Sequence, residues 1–329
     1  MPDAHRSTVS VALCTFNGER FLREQLESVA AQRRPPDELV VCDDGSRDRT
    51  VEIIESFGRA APFPVRLHVN DHRVGSTKNF EQAIARCQGA LVALSDQDDV
   101  WHPDKLSDQE EVLLSSRLVA VFSDGEVVGS DLEPLGYSLW ESAGFGPRER
   151  SLISAGRAHD VLVRRDVVCG ATLMFDARHR GAMLPIPPGW HHDGWIALVA
   201  AALDGLGVIA RPLIRYRHHG GNQVGAPRAE RFAIDVGKRL ATLGMATEHA
   251  DALRERYRHG AERLRSLRGV DPRFAMHLEA RVDHLDRRSH LPRRVAQRAR
   301  VVFGELVSGR YHRYSAGLRS AGKDLVVRS

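Results

Sequence analysis

No run of 18 or more apolar residues occurs in this chain of 329 residues, so the sequence predicts no membrane-spanning helix. Residues Met1 to Thr8 are polar and lack the apolar stretch of a secretory signal, which makes the cytoplasm the expected compartment. Cysteine is scarce. Cys14, Cys42, Cys87 and Cys169 lie far apart, form no Cys-x-x-Cys pair and fall mostly in apolar segments, which favours reduced, buried thiols over disulfides or zinc ligands. Internal repeats and low-complexity tracts are absent. Acidic balance is missing from one region only: residues 228–329 carry 23 Lys and Arg against 12 Asp and Glu, a net +11, and the remainder carries −7. That asymmetry points to an anionic partner for the tail, and its few aromatics weigh against nucleic acid. Peripheral attraction to an anionic membrane is one reading of the tail; solvated helices packing back on the core is the other.

What the chain does have is a repeated alternation of short apolar runs and amphipathic stretches. Strands are predicted at Val9–Cys14, Leu39–Cys42, Val65–Val69, Leu91–Leu94, Val119–Phe122, Cys169–Phe175 and Gly207–Ile209. Helices are predicted at Arg20–Ala31, from Asp48 to Phe57, at Thr77–Cys87, from Pro103 to about Ser115, and at Asp193–Leu203. Gly125 to Arg165 reads as loops and short helices, and the chain turns Arg-rich and helical after Gly225, with breaks near Gly269-Val270-Asp271-Pro272 and at Pro292. The alternation argues for a parallel α/β sheet, in which ligands bind beyond the carboxyl ends of the strands. Two predicted strands end in carboxylates: Asp43-Asp44-Gly45-Ser46 and Asp96-Gln97-Asp98-Asp99. Asp96, Asp98 and Asp99 are therefore expected in the binding crevice. Such hard oxygen ligands suit Mg²⁺ or Mn²⁺, ions that bind through one or two carboxylates plus substrate phosphates.

The motifs V-A-L-C-T-F-N-G, L-V-V-C-D-D-G-S-R-D-R-T, V-G-S-T-K-N-F-E-Q-A, S-D-Q-D-D-V-W-H-P-D-K-L and H-H-D-G-W, in that order, span roughly residues 8 to 225. Together they resemble family 2 inverting glycosyltransferases of the GT-A fold, and within them the rhamnosyltransferase-type members that build bacterial surface polysaccharides. The resemblance implies a nucleotide-diphospho-sugar transferase fold over residues 1–225, Rossmann-like with a mixed, mainly parallel sheet. A basic, mainly helical C-terminal extension over 226–329 would follow it.

The resemblance also implies roles. Thr15, Phe16 and Asn17 would meet the nucleotide-sugar, with Phe16 stacking on the base, although a strand-end aromatic serves equally well in a core. Asp44 matches the position that binds base or ribose, and Asp43 either joins it or orients the loop. In the D-x-D element, Asp98 would ligate Mn²⁺ or Mg²⁺, Asp96 would hold ribose or a metal-bound water, and Gln97 would line the donor site. Lys78 and Asn79 fall in the motif that approaches the donor. Asp193 matches the catalytic base that takes the acceptor's proton; without the other motifs it would read as a helix cap. Trp101, His192 and Trp195 are expected at the acceptor, with packing as the alternative for Trp195, and only one of His191 and His192 can face the site. His219, in Y-R-H-H-G-G-N-Q, is the candidate metal or diphosphate contact, carried on a loop that Gly220 and Gly221 allow to close. Residues 125 to 190 are expected to shape the acceptor pocket. The donor is expected to be dTDP- or UDP-linked, rhamnose first, and the acceptor a carbohydrate or lipid-linked glycan.

The family's processive Q-x-x-R-W signature is missing, which favours transfer of one sugar or a few. A sugar-phosphate nucleotidyltransferase would need a glycine-rich phosphate loop after the first strand, where Asn17-Gly18-Glu19-Arg20 offers one glycine. A non-catalytic nucleotide-sugar-binding protein is the remaining alternative; Asp98 and Asp193 argue against it.

Overall fold

The computed structural model describes residues 7–221 and 246–326, the side chains of 246–250 excepted. Two compact units emerge: Met1–Gly156, Val167–Ile186 and His191–Ala229 form the first, and Arg157–Asp166, Pro187–Trp190 and Glu230–Ser329 the second. The expected boundary at Gly225, and Asn222 and Gln223 before it, lie outside the described residues.

The first unit opens with β1 (Val9–Thr15), α1 (Leu22–Ala30), β2 (Glu38–Asp43), α2 (Thr50–Ala60), β3 (Val65–Val69), α3 (Ser76–Arg86) and β4 (Leu91–Ser95). β1, β2 and β4 are buried along their whole length, as expected of continuous apolar strands covered on both faces of a parallel sheet. β3 is half-buried and lies at the edge of the sheet. α1 buries Leu22, Leu26 and Val29 on one face, each contributing about 1.5–3 kcal/mol of burial. β5 (Val100–Trp101), α4 (Lys105–Ser115), β6 (Ala120–Val128), β7 (Pro134–Ser138), the short helices α5 (Leu139–Ala143), α6 (Pro147–Ser154) and α7 (His159–Leu162, in the second unit), β8 (Leu173–Asp176), α8 (Arg180–Met183), α9 (His192–Ala202) and β9 (Leu206–Arg217) follow.

The sheet runs β3-β2-β1-β4-β8-β6-β9-β5, with β7 beside β6. β3, β2, β1 and β4 are parallel; β8 is antiparallel to both β4 and β6, and β6 and β9 are parallel. From β1 the chain builds outward to β2 and β3 and then returns to β4 on the other side of β1, so the crevice between β1 and β4 is the topological switch point. Five strands differ from expectation. β6 and β9 extend well beyond their apolar starts because each supplies the other's backbone partners, with a register shift that accommodates Pro212. β5 and β7 form where no apolar run announced a strand, and β8 starts only after a tight turn at Gly170–Thr172. α9 is buried almost all round, the signature of a helix enclosed by the core.

In the second unit, the helix Pro272–Ser289 starts with Pro at its first turn and Asp271 accepting the Arg273 N–H as cap. The helices Val295–Val307, Arg310–Tyr314 and Leu318–Val326 close around Val302, Tyr311 and Ala321. Buried His284 meets Glu305 at 2.8 Å, and Arg287 and Arg310 neutralise the same carboxylate at 2.7 and 3.1 Å. Trp190 donates to the Arg256 carbonyl at 2.7 Å, and Arg256 pairs with Asp166 at 2.8 Å. Among the described residues no helix is long and apolar enough to cross a bilayer.

One polar knot ties the parallel half of the sheet together. Glu38, at the start of β2, accepts from the Ser10 hydroxyl at 2.5 Å, from the Gln88 N–H at 2.6 Å and from Arg66 at 2.5 Å. Burial raises the Glu38 pKa, but the Ser10, Gln88 and Arg66 donors outweigh it and hold the carboxyl below its usual range. The stabilisation is therefore complete above the unfolded carboxyl value of about 4.3 and is lost as pH falls through the lower folded value. Glu38→Gln should cost roughly 1.5–3 kcal/mol at neutral pH, measured as a shift in urea midpoint, and the gap between wild type and variant should shrink below about pH 4.

Candidate functional site

At the carboxyl ends of β1 and β2, carboxylates are held by backbone N–H groups and neutral side-chain donors in equal number. The Thr15 hydroxyl donates to Asp43 Oδ1 at 2.7 Å, and the Ser46 N–H and hydroxyl donate to Asp43 at 2.8 and 2.6 Å. Asp43 thus orients its own loop. Asp44 does the same across a longer distance, accepting from the N–H groups of Val74 and Gly75 at 2.7 and 2.8 Å and from Asn70 at 3.0 Å. Asn79 donates to the Cys42 carbonyl and accepts from Asn70, so it is a buried brace and not an exposed donor contact. Lys78 stands on the exposed side of α3, paired with Glu81 at 3.0 Å.

The loop after β1 is pinned from two sides. Gln97 accepts the Phe16 N–H at 2.8 Å and donates to the Phe16 carbonyl at 3.1 Å, so its amide is spent on positioning. A Cβ at position 18 would stand 2.3 Å from Gln97 Oε1, which explains glycine there. Asn17 adopts a left-handed φ of 46° and accepts the Arg47 N–H at 2.9 Å. The half-buried Phe16 ring carries the Arg73 guanidinium on one face at 4.0 Å. Nothing in the sequence reading singled out Arg73.

Beyond β4 the three aspartates diverge. Asp99 turns inward and is fully buried: Oδ1 accepts the Arg217 N–H at 3.1 Å, and Oδ2 has no partner. Burial, then Asp98 and Asp96, push its pKa well up. This corrects the expectation that Asp99 faces the crevice. Lys105, also fully buried, is brought down to about 7 by burial, with Asp99 and Cys169 acting in the opposite direction. Asp98 faces outward to His219, whose Nε2 lies 2.9 Å from Oδ2. The Gly221 N–H donates to His219 Nδ1 at 3.1 Å, so the neutral ring carries its proton on Nε2 and donates to Asp98. His219 also packs on Phe21 at 4.8 Å. Under this pair lies buried Arg217, which donates to the Asp98 carbonyl at 2.8 Å, to Glu24 at 2.8 Å and to the Ser130 carbonyl, and covers Phe21 at 4.4 Å. The Y-R-H-H run contained this arginine, but only β9's register shows that it points inward.

Asp193 reaches the same strand ends from α9. Its Oδ2 accepts the Gly170 N–H at 3.2 Å and its Oδ1 the Gly194 N–H at 2.7 Å, both from backbone at helix or turn starts. Asp96 is pushed up by burial, then by the charges of Asp98 and Asp193, so the three carboxylates share one electrostatic neighbourhood. Gly170 permits this approach: a Cβ there would sit 2.5 Å from His192 Nε2. His192 itself is buried, stacked on Phe80 at 3.8 Å, with neither ring nitrogen hydrogen-bonded. Burial lowers its pKa against the pull of Asp193, which keeps the ring neutral.

Both tryptophans assigned to the acceptor are core residues. Trp195 is completely buried and donates to the Met183 carbonyl at 2.8 Å. Two residues along a helix are about 200° apart, so a face that aims Asp193 at the strand ends turns Trp195 away. Trp101 is buried under the Lys105 ammonium, 4.0 Å from its ring, and shares the inward parity of Asp99.

Among the described residues no group of three or more His, Cys, Asp or Glu side chains is arranged to hold a metal ion. The Asp98–His219 pair would fit a divalent ion that completes its shell with substrate phosphates once the His219 proton moves from Nε2 to Nδ1, which gives up the Gly221 bond. A cation there would also relieve the mutual repulsion that raises Asp96.

Residues 10–159 match the family model for glycosyl transferase family 2. An uncharacterized glycosyltransferase of Nostoc sp. is 29% identical over 65% of this chain and 66% of its own length. A dTDP-rhamnosyl transferase of Shigella flexneri is 29% identical over 34% of this chain and 43% of its own. The chain thus spans less than two thirds of either relative. Among solved structures, S. aureus TarS 1-349 in complex with UDP-GlcNAc superposes with a TM-score of 0.59 at 15% identity, covering 97% of this chain and 88% of that one. The mannosyltransferase PcManGT from Pyrobaculum calidifontis, in complex with GDP-Man and Mn²⁺, gives 0.54 at 19% identity, over 99% and 82%. At these identities the likeness is one of fold, the GT-A fold, and it accompanies the sequence match. Residues 10–159 are thus similar in sequence to glycosyl transferase family 2, and the fold around them is that of GT-A glycosyltransferases.

Proposed function

We propose that this chain is an inverting glycosyltransferase that moves a sugar from a nucleotide-diphosphate donor, dTDP-rhamnose first among candidates and UDP-hexoses next, to a carbohydrate or lipid-linked acceptor. The observation that carries the reading is the convergence of Asp96, Asp98 and Asp193 on one end of the sheet, at the switch point between β1 and β4. The likeness to the dTDP-rhamnosyl transferase of Shigella flexneri supports rhamnose as the first donor to test.

In this reading the nucleotide lies over the β1 and β2 loops. Asp43, Asp44 and Gln97 keep those loops in place through the bonds described, and the Phe16–Arg73 stack offers a flat face to the base and a fixed charge to the diphosphate. Asp98 and His219 would hold Mn²⁺ or Mg²⁺, which would supply Lewis-acid stabilisation of the leaving diphosphate. Asp193 takes the proton from the attacking acceptor hydroxyl. The two N–H groups on its carboxylate fix the direction of its remaining lone pairs. Attack opposite the diphosphate inverts the anomeric centre. His192, neutral and buried behind Gly170, fixes the approach of Asp193 and does not meet the acceptor.

The membrane reading of the tail gains a specific face. In the helix Val295–Val307, Val295, Phe303 and Val307 are exposed by 71%, 68% and 72%. By helical geometry they lie within about 120° of one another around the axis, with Arg300 in the same helix and Arg293 and Arg294 just before it, a composition that suits the surface of an anionic bilayer.

A panel of nucleotide-sugars, assayed for acceptor-dependent release of nucleoside diphosphate with and without Mn²⁺, tests the activity. Release of pyrophosphate from a nucleoside triphosphate and a sugar phosphate would instead establish a nucleotidyltransferase, and donor binding without turnover a sensor. Asp193→Asn should lower kcat by about 10² to 10⁴ while donor KM stays within about twofold; full activity in that variant rules out the base. His219→Ala should raise the Mn²⁺ concentration for half-maximal rate by roughly 10- to 100-fold, and an unchanged Mn²⁺ titration removes His219 from the metal site.

A further inference from the structure

The two sides of the site come from different elements: Asp193 stands in the first turn of α9, and Asp98 on the link between β4 and β5. Transfer requires a fixed separation between them, because the acceptor hydroxyl must meet the anomeric carbon opposite the diphosphate.

A buried polar chain joins the two sides from below. α4 begins at Lys105, and both Lys105 and Gln109, one helical turn on, are fully buried. The Lys105 ammonium donates to Gln109 Oε1 at 3.0 Å, and Gln109 Nε2 donates to the Thr172 carbonyl at 2.6 Å. An ammonium only donates and a carbonyl only accepts, so the Gln109 amide fits this gap one way round. Thr172 closes a turn: its N–H and hydroxyl both donate to the Cys169 carbonyl, at 3.0 and 2.7 Å. The same turn supplies the Gly170 N–H to Asp193 Oδ2. At the other end of the chain of bonds, burial brings Lys105 down to about 7, and the groups that act against burial are Asp99, next to Asp98, and Cys169, at the head of the turn. A lysine and a glutamine cost more to bury than apolar side chains of similar length. Their hydrogen bonds add what apolar contacts lack, a fixed direction.

We propose that Gln109, oriented by Lys105, is a positioning residue for Asp193: it holds the Cys169–Thr172 turn, and through the Gly170 N–H the carboxylate, at a set distance from the loop that carries Asp98. The proposal rests on the reading of Asp193 as the base. It requires no contact of Lys105 or Gln109 with donor, metal or acceptor.

The test uses the full chain and has one arm that needs no substrate. Hydrogen exchange at the Gly170 amide should quicken about tenfold in Gln109→Met, while β1 to β4 stay as protected as in the wild type. Unchanged exchange at Gly170 overturns the proposal. The second arm reads turnover with the donor and acceptor selected by the nucleotide-sugar panel. Gln109→Met should lower kcat by about 10- to 100-fold with donor KM within about twofold. In an Asp193→Asn background the same substitution should change kcat by less than about twofold, because the group it positions is gone. An equal loss in both backgrounds, or full kcat in Gln109→Met, overturns the proposal and leaves the glycosyltransferase reading intact. Full activity in Asp193→Asn, or no turnover by the wild type with any donor, sinks that reading instead, and exchange at Gly170 then decides alone whether Gln109 holds the carboxylate. If Gln109→Met loses thermal stability, Lys105→Met/Gln109→Met, which leaves no ammonium without its acceptor, takes its place in both arms.

Discussion

Carboxylates brought together at the end of a buried strand repel one another, and everything at this site follows from how the fold contains that repulsion. Ser95 ends a strand with no solvent on either face, and the next four residues carry three acidic side chains. The fold separates them. Asp99 is turned inward, where burial and its neighbours favour the protonated acid; Asp98 is turned outward onto His219; Asp96 is left between, with its proton affinity raised by burial, by Asp98 and by Asp193. A cation beside Asp98 would offset one of the charges that raise Asp96.

Backbone amides provide the second layer of containment. Asp43 takes the N–H of Ser46, Asp44 those of Val74 and Gly75, and Asp193 those of Gly170 and Gly194. Backbone donors carry no net charge and lose no side-chain entropy when they form a bond, so they orient a carboxylate without cancelling it. The positions of these carboxylates are therefore set by the loops. For this reason glycine at 18 and 170 is a packing requirement, since a methyl group at either would strike Gln97 or His192 and displace the loop that does the holding.

The parallel half of the sheet and the acidic strand ends were legible because each depends on a local pattern: an apolar run long enough for one strand, followed by polar residues that must leave the core. The expected starts and ends of β1 to β4 and of α1 to α4 fall within a few residues of those observed. What local pattern could not carry was partner-dependent. β5, β7 and the far half of β9 are strands because a neighbour supplies their hydrogen bonds, and β8 runs antiparallel because a tight turn at Gly170 reverses the approach. The side-chain assignments divide the same way. Asp98, His219 and Asp193 reach the strand ends as polar residues next to apolar runs do, whereas Trp101, expected at the acceptor, and Trp195, read as packing or an acceptor platform, are core, because the sequence does not state which way a two-residue step turns.

Arg217 shows how far the site depends on a residue no motif required. Burying Asp99 and Lys105 beneath the crevice favours the neutral form of each, so the pair contributes no net charge whether or not the proton has moved. Arginine cannot take that route, and its buried charge must be met by bonds. It meets them with the carbonyls of Asp98 and Ser130, the Glu24 carboxylate and the face of Phe21, a set that needs the planar fork and that a lysine ammonium could not reproduce. Two of those partners place the functional residues: the Asp98 carbonyl fixes the backbone that carries the outward carboxylate, and Phe21 is the ring on which His219 rests. The geometry of the Asp98–His219 pair is thus set from beneath by the buried Arg217 guanidinium.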